Sequence, residues 1–515
     1  MLIRPRRAWV LLATVGTLAV PGASRVLATP RRPRWSPTST AYTYVVDSTA
    51  DDGDKSLGDF ACATNAGTCT LRAAIQQSNF NCGSRPGDAT TTTIDFAIGS
   101  GAKTITPGSF GLPGLGCPVV LDGTSQPGYA GMPIIEVSGA ATHPNNVGGI
   151  SITTSCSCPS SIRGLVINRF IGSGIGLGRG GPFKVQNNFI GTDRTGTIAL
   201  GNGVGINTDR GSGAVIGGTT AAARNLISGN AHYGVVLQMS MPNNVVKGNY
   251  IGTDVTGTKA LGNGSDGVSV NSTGDVIGGS VAGAGNVISA NKGNGIAIFG
   301  NPVGNTVVQR NRIGTQVDGK APLGNALNGI AVENTGPDTI GGMTKPLRNR
   351  IAFNGHDGIA VTTGTGHALL ANAIFANGTL GLTDSIGIDL TGCGACVGVT
   401  PNDTNDGDIG PNNRQNFPVL TSAASTPSTT TISGTLNSTA NTTFLLLFFS
   451  NPACDPSHHG EGKHFLGSAS VKTVGNNVTF TAHLPVPVGH GQVVTSTAAD
   501  PGGNTSEFSK CRTVP

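Results

Sequence analysis

Between residues 165 and 390 the apolar residues fall in short alternating stretches, three to a set, with Gly- and Asn-rich corners between them. One set reads Gly203-Val-Gly-Ile, Ala214-Val-Ile-Gly and Asn225-Leu-Ile-Ser. Alternation over so few residues is the mark of a strand with one face inward, and no run of ten or more residues carries a helical period. An Asn followed two residues later by a large apolar residue recurs at 168, 188, 225, 249, 286, 311, 349 and 372. A Gly-apolar ladder recurs in step at 174, 203, 234, 267, 295, 329, 358 and 387. The segments Gly191-TDRTGTIALG-Asn202, Gly252-TDVTGTKALG-Asn263 and Gly314-TQVDGKAPLG-Asn325 return at intervals of 61 and 62 residues. Regular internal periods mean stacked units, and each long interval here holds two coils of about 30 residues. Three short parallel strands per coil predict an all-β chain, a right-handed parallel β-helix of about ten coils of roughly 30 residues, with its first coils inside 42–145 and its repeats over 146–392. Asn225, Asn249, Asn286, Asn311 and Asn349 should stack as one column, about 4.8 Å per rung.

The flanks differ in texture. Residues 42–145 hold Tyr44-VVDSTADD, then Cys62, then Cys69-TLRAAIQQSN, in which Thr70 should cap a short helix with Leu71, Ala74 and Ile75 as its apolar stripe. Such an element suits the open end of a solenoid, which needs cover against edge-to-edge association. This stretch resembles the CSLREA domain of exported bacterial right-handed β-helix proteins, reading Cys-Thr-Leu-Arg-Ala-Ala at 69–74 and departing at the second and fifth positions. Asp122-GTSQPGY, Pro133-IIEV and the Gly-Thr-Asp loops fit the same pattern. The resemblance implies architecture and an exported, N-terminally capped solenoid; it implies no activity. Residues 393–426 read as a C-terminal cap and linker. From 427 to 515, short alternating strands such as Phe444-LLLFFS and Asn477-VTFTAHL predict a small β-sandwich.

Composition narrows the class. Gly is 80 of 515 residues and charged residues are only 11%, too few to solvate long helices or coiled coils. The net charge of +5 is misleading, because residues 1–34 carry seven Arg and no acid, leaving −2 for the remainder. Nucleic acid is therefore not an expected partner. Arg4, Arg6 and Arg7 before the apolar run 8–20 read as a signal peptide over 1–28, followed by a Pro/Arg-rich leader over 29–41. The apolar run is too short to span a bilayer, so no membrane span is expected after signal removal, and the protein should be secreted or held at the cell surface. Ten Cys suit an oxidising compartment. Cys62/Cys69, Cys156/Cys158 and Cys393/Cys396 are close pairs, with Cys82/Cys117 and Cys454/Cys511 as longer bridges; spacing alone does not fix the connectivity.

Candidate chemistry is sparse. With the Gly-apolar ladder starting the first strand of each coil, its outward rows read Gly205, Val236, Ser269, Ala297, Ala331, Ala360, Asp389 and Asn207, Gln238, Asn271, Phe299, Glu333, Thr362, Thr391. Only Glu333 and Asp389 are ionisable, in different rows, without the paired carboxylates that glycoside hydrolysis needs. Asn207, Gln238, Asn271 and Glu333 are the candidate ligand-binding residues, facing a polysaccharide or other cell-surface component. Asn207-Thr-Asp209 matches a glycosidase tripeptide, but no Asp-Asp follows it in the coils; Asp209, Arg210 and Glu333 are the residual candidates for an enzyme. Lyase chemistry would need cationic or metal stabilisation of an enolate, and no Lys/Arg cluster is visible along the chain. Asp403, Asp406 and Asp408 lie in an Asn402-DTNDGDIG run that breaks the EF-hand register; calcium is one reading and an Asx-rich turn the other. No other cofactor is expected. The leading expectation is an exported, non-catalytic surface protein, structural or adhesive, with glycan binding; the rival is a polysaccharide lyase or glycoside hydrolase on the same fold.

Overall fold

The computed structural model describes residues 41–83, 91–145, 147–154, 156–211, 213–300, 303–334, 336–381, 385–390 and 398–515. The expected export signal and most of the leader, and Thr391, Cys393 and Cys396, lie outside them.

Three long parallel sheets, of 11, 10 and 9 strands, run side by side from Thr43–Val46 to Ile388–Asp389, each coil giving one strand to each sheet. This is a right-handed parallel β-helix, the hand that twisted parallel strands favour. One coil shows the order: Ala214–Gly217 in the first sheet, Leu226–Ile227 in the second, Val235–Leu237 in the third. Inward positions repeat Val, Ile and Leu in register, as in Ile206, Val235, Val268, Ile296, Ile330, Ile359 and Ile388, and these are buried in one continuous core. Each such side chain contributes roughly 1.5–3 kcal/mol of transfer free energy.

Asparagines fix the register. In one column the Oδ1 atom of each residue accepts from both the backbone N–H and the Nδ2 of the rung before it, through Asn188, Asn225, Asn249, Asn286, Asn311, Asn349 and Asn372. Asn168, which shares the sequence pattern, stands elsewhere: it pairs with Ser138 and donates to Glu136 and the Thr192 carbonyl. A second column was not foreseen and runs through Asn202, Asn230, Asn263, Asn291, Asn325, Asn354 and Asn377. The Gly-Thr-Asp loops end on its members. Their Val255 and Val317 pack over an outer apolar stripe of Phe189, Leu226, Tyr250 and Val287.

The glycine ladder corrects the expected register. Gly205, not Gly203, is the partner of Gly234: a Cβ on Gly205 would come within 2.4 Å of the Gly234 carbonyl oxygen, and one on Gly234 within 2.6 Å of that of Gly267. Only glycine admits that approach.

Both ends are covered. At the N-terminal end the helix Leu71–Gly83 is capped by Thr70, whose Oγ1 accepts from Ala73 N–H at 3.0 Å, with Leu71, Ala74 and Ile75 buried. Arg72 of that helix grips Asp51 at 2.7 Å and the Gly111 carbonyl at 2.6 Å. At the other end, two antiparallel sheets of three and four strands form the C-terminal sandwich. Its first strand, Val419–Ser425, begins before the Pro427 at which the sequence changes texture. Leu447, Phe449 and Phe508 of the sandwich join the solenoid core, and Gly462 pairs antiparallel with Ile374. Glu461 takes the place of the next asparagine, accepting from Asn377 N–H and Nδ2. Glu507 accepts from Leu390 N–H at 3.0 Å and Thr400 N–H at 2.9 Å. A solenoid edge that would otherwise recruit another chain is thereby closed.

Disulfides join Cys62–Cys69, Cys82–Cys117, Cys156–Cys158 and Cys454–Cys511, and no cysteine among the described residues is free. None of the described helices is long and apolar enough to cross a membrane.

Candidate functional site

The third sheet presents its side chains in rows because successive coils stack in register. Asn207 pairs with Val236, and the row continues through Ser269, Ala297, Ala331, Ala360 and Asp389. Asn207 therefore belongs to the small-residue row rather than to the polar row assigned from sequence, an offset of two residues that follows from the Gly205–Gly234 pairing. It still reaches the polar row diagonally, since Gln238 Nε2 donates to its Oδ1 at 3.3 Å. Phe299 lies directly beside Glu333, and Asn271 and Thr362 hold adjacent rungs through backbone bonds to Leu237 and Val332. Gln238, Asn271, Phe299 and Thr362 are half-buried and Glu333 is exposed. Rungs of a parallel sheet are about 4.8 Å apart, so amides, an aromatic ring and a carboxylate follow one another along one line. Phe299 was legible in the same row but carries no polar atom, so a search for ionisable groups passes over it.

Carboxylates that could do acid–base work are not gathered on this face. Asp389 is buried, and its charge bears on Glu507 of the sandwich. Asp209 and Arg210 face each other at 3.7 Å, both more than half exposed. The loop acids are spent internally: Asp193 accepts from the N–H groups of Thr197 and Ile198, and Asp254 from those of Thr258 and Lys259. Those bonds, opposed by partial burial, hold Asp193 below the usual carboxylate range.

Folding brings Asp403, Asp406 and Asp408 together, with one oxygen of each within 4.8 Å of the others. Asp406 is occupied, accepting from Asn416 N–H at 2.7 Å and Ser438 Oγ at 2.6 Å. Asp403 Oδ1 and Asp408 Oδ1 are shielded from solvent and accept no hydrogen bond. Burial first, then the neighbouring carboxylates, push Asp406 and Asp408 upward. Two orphaned carboxylate oxygens are hard donors of the kind calcium takes, but they supply only part of its six to eight ligands.

A basic cluster also exists, contrary to the expectation from the linear sequence. Arg310, Arg312, Lys345, Arg348 and Arg350 come from successive coils and Lys463 from the sandwich, and they line one groove of about 750 Å³. Their spacing along the chain hid them.

No family model matches the chain, and no curated protein matches it. Among solved structures, a tailspike protein gp49 from Acinetobacter baumannii bacteriophage Fri1, a capsular polysaccharide depolymerase, is 9% identical over 81% of this chain and 80% of that one, with a TM-score of 0.17. At that TM-score the two chains do not superpose, and the fold rests on the strand pairing alone.

Proposed function

We propose that the chain is an exported, non-catalytic β-helix protein of the cell surface, structural or adhesive, that holds glycans along its third sheet. The observation that carries this is the row Gln238, Asn271, Phe299, Glu333 and Thr362. Amides and hydroxyls there can bond sugar hydroxyls, while the phenyl ring offers an apolar platform for a pyranose face. Covered ends support the reading, because a capped solenoid presents a long rigid surface without polymerising. We read residues 42–145 as a cap of the CSLREA type together with the first coils; the clamp that Arg72 makes on Asp51 and Gly111 gives that motif a mechanical role. A glycan-array screen tests the assignment: binding to an array glycan should fall about tenfold in Phe299→Ala, with unchanged thermal stability. Absence of any glycan ligand, or a ligand held equally by the variant, would remove the third sheet as the site.

A further inference from the structure

The third sheet leaves unexplained a concentration of positive charge elsewhere on the coils. The groove at the corner between the first and second sheets gathers Arg310, Arg312, Lys345, Arg348, Arg350 and Lys463, and no Asp or Glu lines it. Chain statistics make this unusual, since residues 35–515 carry a net −2. Arg312 and Arg350 pair in register on adjacent rungs, where the preceding rung has Val287 and the following one Ala373. Two like charges placed directly side by side are unfavourable unless something else neutralises them.

Three of the four guanidinium groups are held by named contacts. Arg348 lies 4.3 Å over the Phe465 ring and donates to the Met343 carbonyl at 2.7 Å. Arg350 lies 5.3 Å and Lys463 4.8 Å from the Phe375 ring centre. Arg310 donates to the Ser280 carbonyl at 2.9 Å. The Nε atoms of Arg310 and Arg348 are shielded and donate to nothing. Burial, with Arg312 nearby, presses against the charge of Arg350 and lowers its pKa. Asp318 stands near Arg312 and Arg350, but its Oδ1 is committed to the N–H groups of Lys320 and Ala321. Six cations, four of them held by these contacts and none with a carboxylate among the groove's lining residues, make a binding site for an anion with several charges in line.

We propose that this groove binds an acidic polysaccharide, a chain of carboxylated sugars lying across the coils and against the C-terminal sandwich. Its volume is within the roughly 300–1,000 Å³ of ligand sites. An extended uronate chain carries one carboxylate per sugar, a repeat of the same order as the rung spacing of about 4.8 Å, and Arg is suited to bidentate carboxylate binding. Nucleic acid fits less well: single strands are held largely by base stacking on open aromatic faces, whereas Phe465 and Phe375 here are covered by Arg348 and by Arg350 with Lys463. This site is separate from the third sheet, and either can stand without the other.

The test uses the full-length, disulfide-bonded protein and three probes in isothermal titration: polygalacturonate, neutral dextran and a single-stranded DNA oligonucleotide. Polygalacturonate should bind and dextran should not bind at this groove. Affinity should drop at least about tenfold between about 0.05 and 0.3 M salt. Arg312→Ser with Arg350→Ser should reduce binding by about tenfold or more, and exposed Lys345→Glu with half-buried Lys463→Glu should do so even if the first variant proves less stable. Phe299→Ala should leave polygalacturonate binding unchanged, which separates this claim from the third-sheet assignment. No binding to polygalacturonate, binding indifferent to both variants, or tighter binding of the oligonucleotide would each overturn it.

Discussion

Replacing Glu507 with glutamine should flatten the stability profile between about pH 4.5 and about 8. Glu507 is 2% exposed at the join between solenoid and sandwich. Burial pushes its carboxyl up from the ordinary 4.5 to about 8, against the lowering effect of the Leu390 and Thr400 donors and with help from the charge of Asp389. Because the folded-state pKa is raised, the favourable contribution is fully present below the unfolded value, near pH 4.5, and is lost as pH rises through about 8. Between those limits the folded chain keeps a proton that the unfolded chain has released, which removes about 1.4 kcal/mol of stability per pH unit. The full window therefore amounts to a few kcal/mol, on the order of one large mutational effect. Glu461, raised to about 7, and Asp275, raised to about 6, add slopes of their own at lower pH. Comparing wild type with Glu507→Gln cancels those contributions. Glutamine keeps one oxygen, able to accept from Leu390 N–H and Thr400 Oγ1, loses the one that accepts from Thr400 N–H, and does not titrate, so the comparison is of slopes with pH rather than of absolute stability. Urea unfolding followed by circular dichroism at pH 6, 7 and 8 should show wild type losing about 1 kcal/mol per unit more than the variant. Parallel profiles for the two proteins would refute the burial argument.

Three further outcomes follow from named contacts. Asn286→Ala should destabilise by about 2–4 kcal/mol in urea unfolding, because it strands the buried N–H and Nδ2 of Asn249 and the Val246 carbonyl. Arg72→Lys should loosen the N-terminal cap, since an ammonium has no second nitrogen to replace the guanidinium fork on Asp51, where Nε and a terminal nitrogen donate to the two carboxylate oxygens; limited proteolysis should then cut before residue 92 several times faster, with the coils intact. Calcium at about 1 mM should raise the melting temperature of wild type and not of Asp408→Asn, with chelator reversing the effect; no shift would leave the three aspartates as a turn network alone.

The solenoid was legible because its period is written in the inward residues and in corner asparagines that tolerate little else. The register of the third sheet was harder, since Gly203-Val-Gly205 offers two equivalent starts and only the close approach of Gly205 to Gly234 distinguishes them. Asn168 satisfied the sequence pattern yet stands outside the column, because pattern matching ignores which carbonyl lies across the rung. The second asparagine column is split in sequence, Asn202, Asn263 and Asn325 closing the repeated loops while Asn230, Asn291, Asn354 and Asn377 lie outside them, so no single repeat displays it. Glu461 and Glu507 are lone acids in a sandwich sequence, and nothing local marks them as the closing rung. The basic groove escaped for a related reason: its members are separated by up to 153 residues, from Arg310 to Lys463, and become neighbours only through coil stacking and docking of the sandwich. Among the acids, the Asp403 cluster alone was local enough to be read directly.

A surface that holds polysaccharide without cutting it should leave each glycan it binds intact when purified protein is incubated with it and reducing ends and unsaturated products are measured. Stable binding with no product above buffer control is the expected result. Product that accumulates in proportion to protein, and disappears in Asp209→Asn or Glu333→Gln, would contradict it and establish the enzyme.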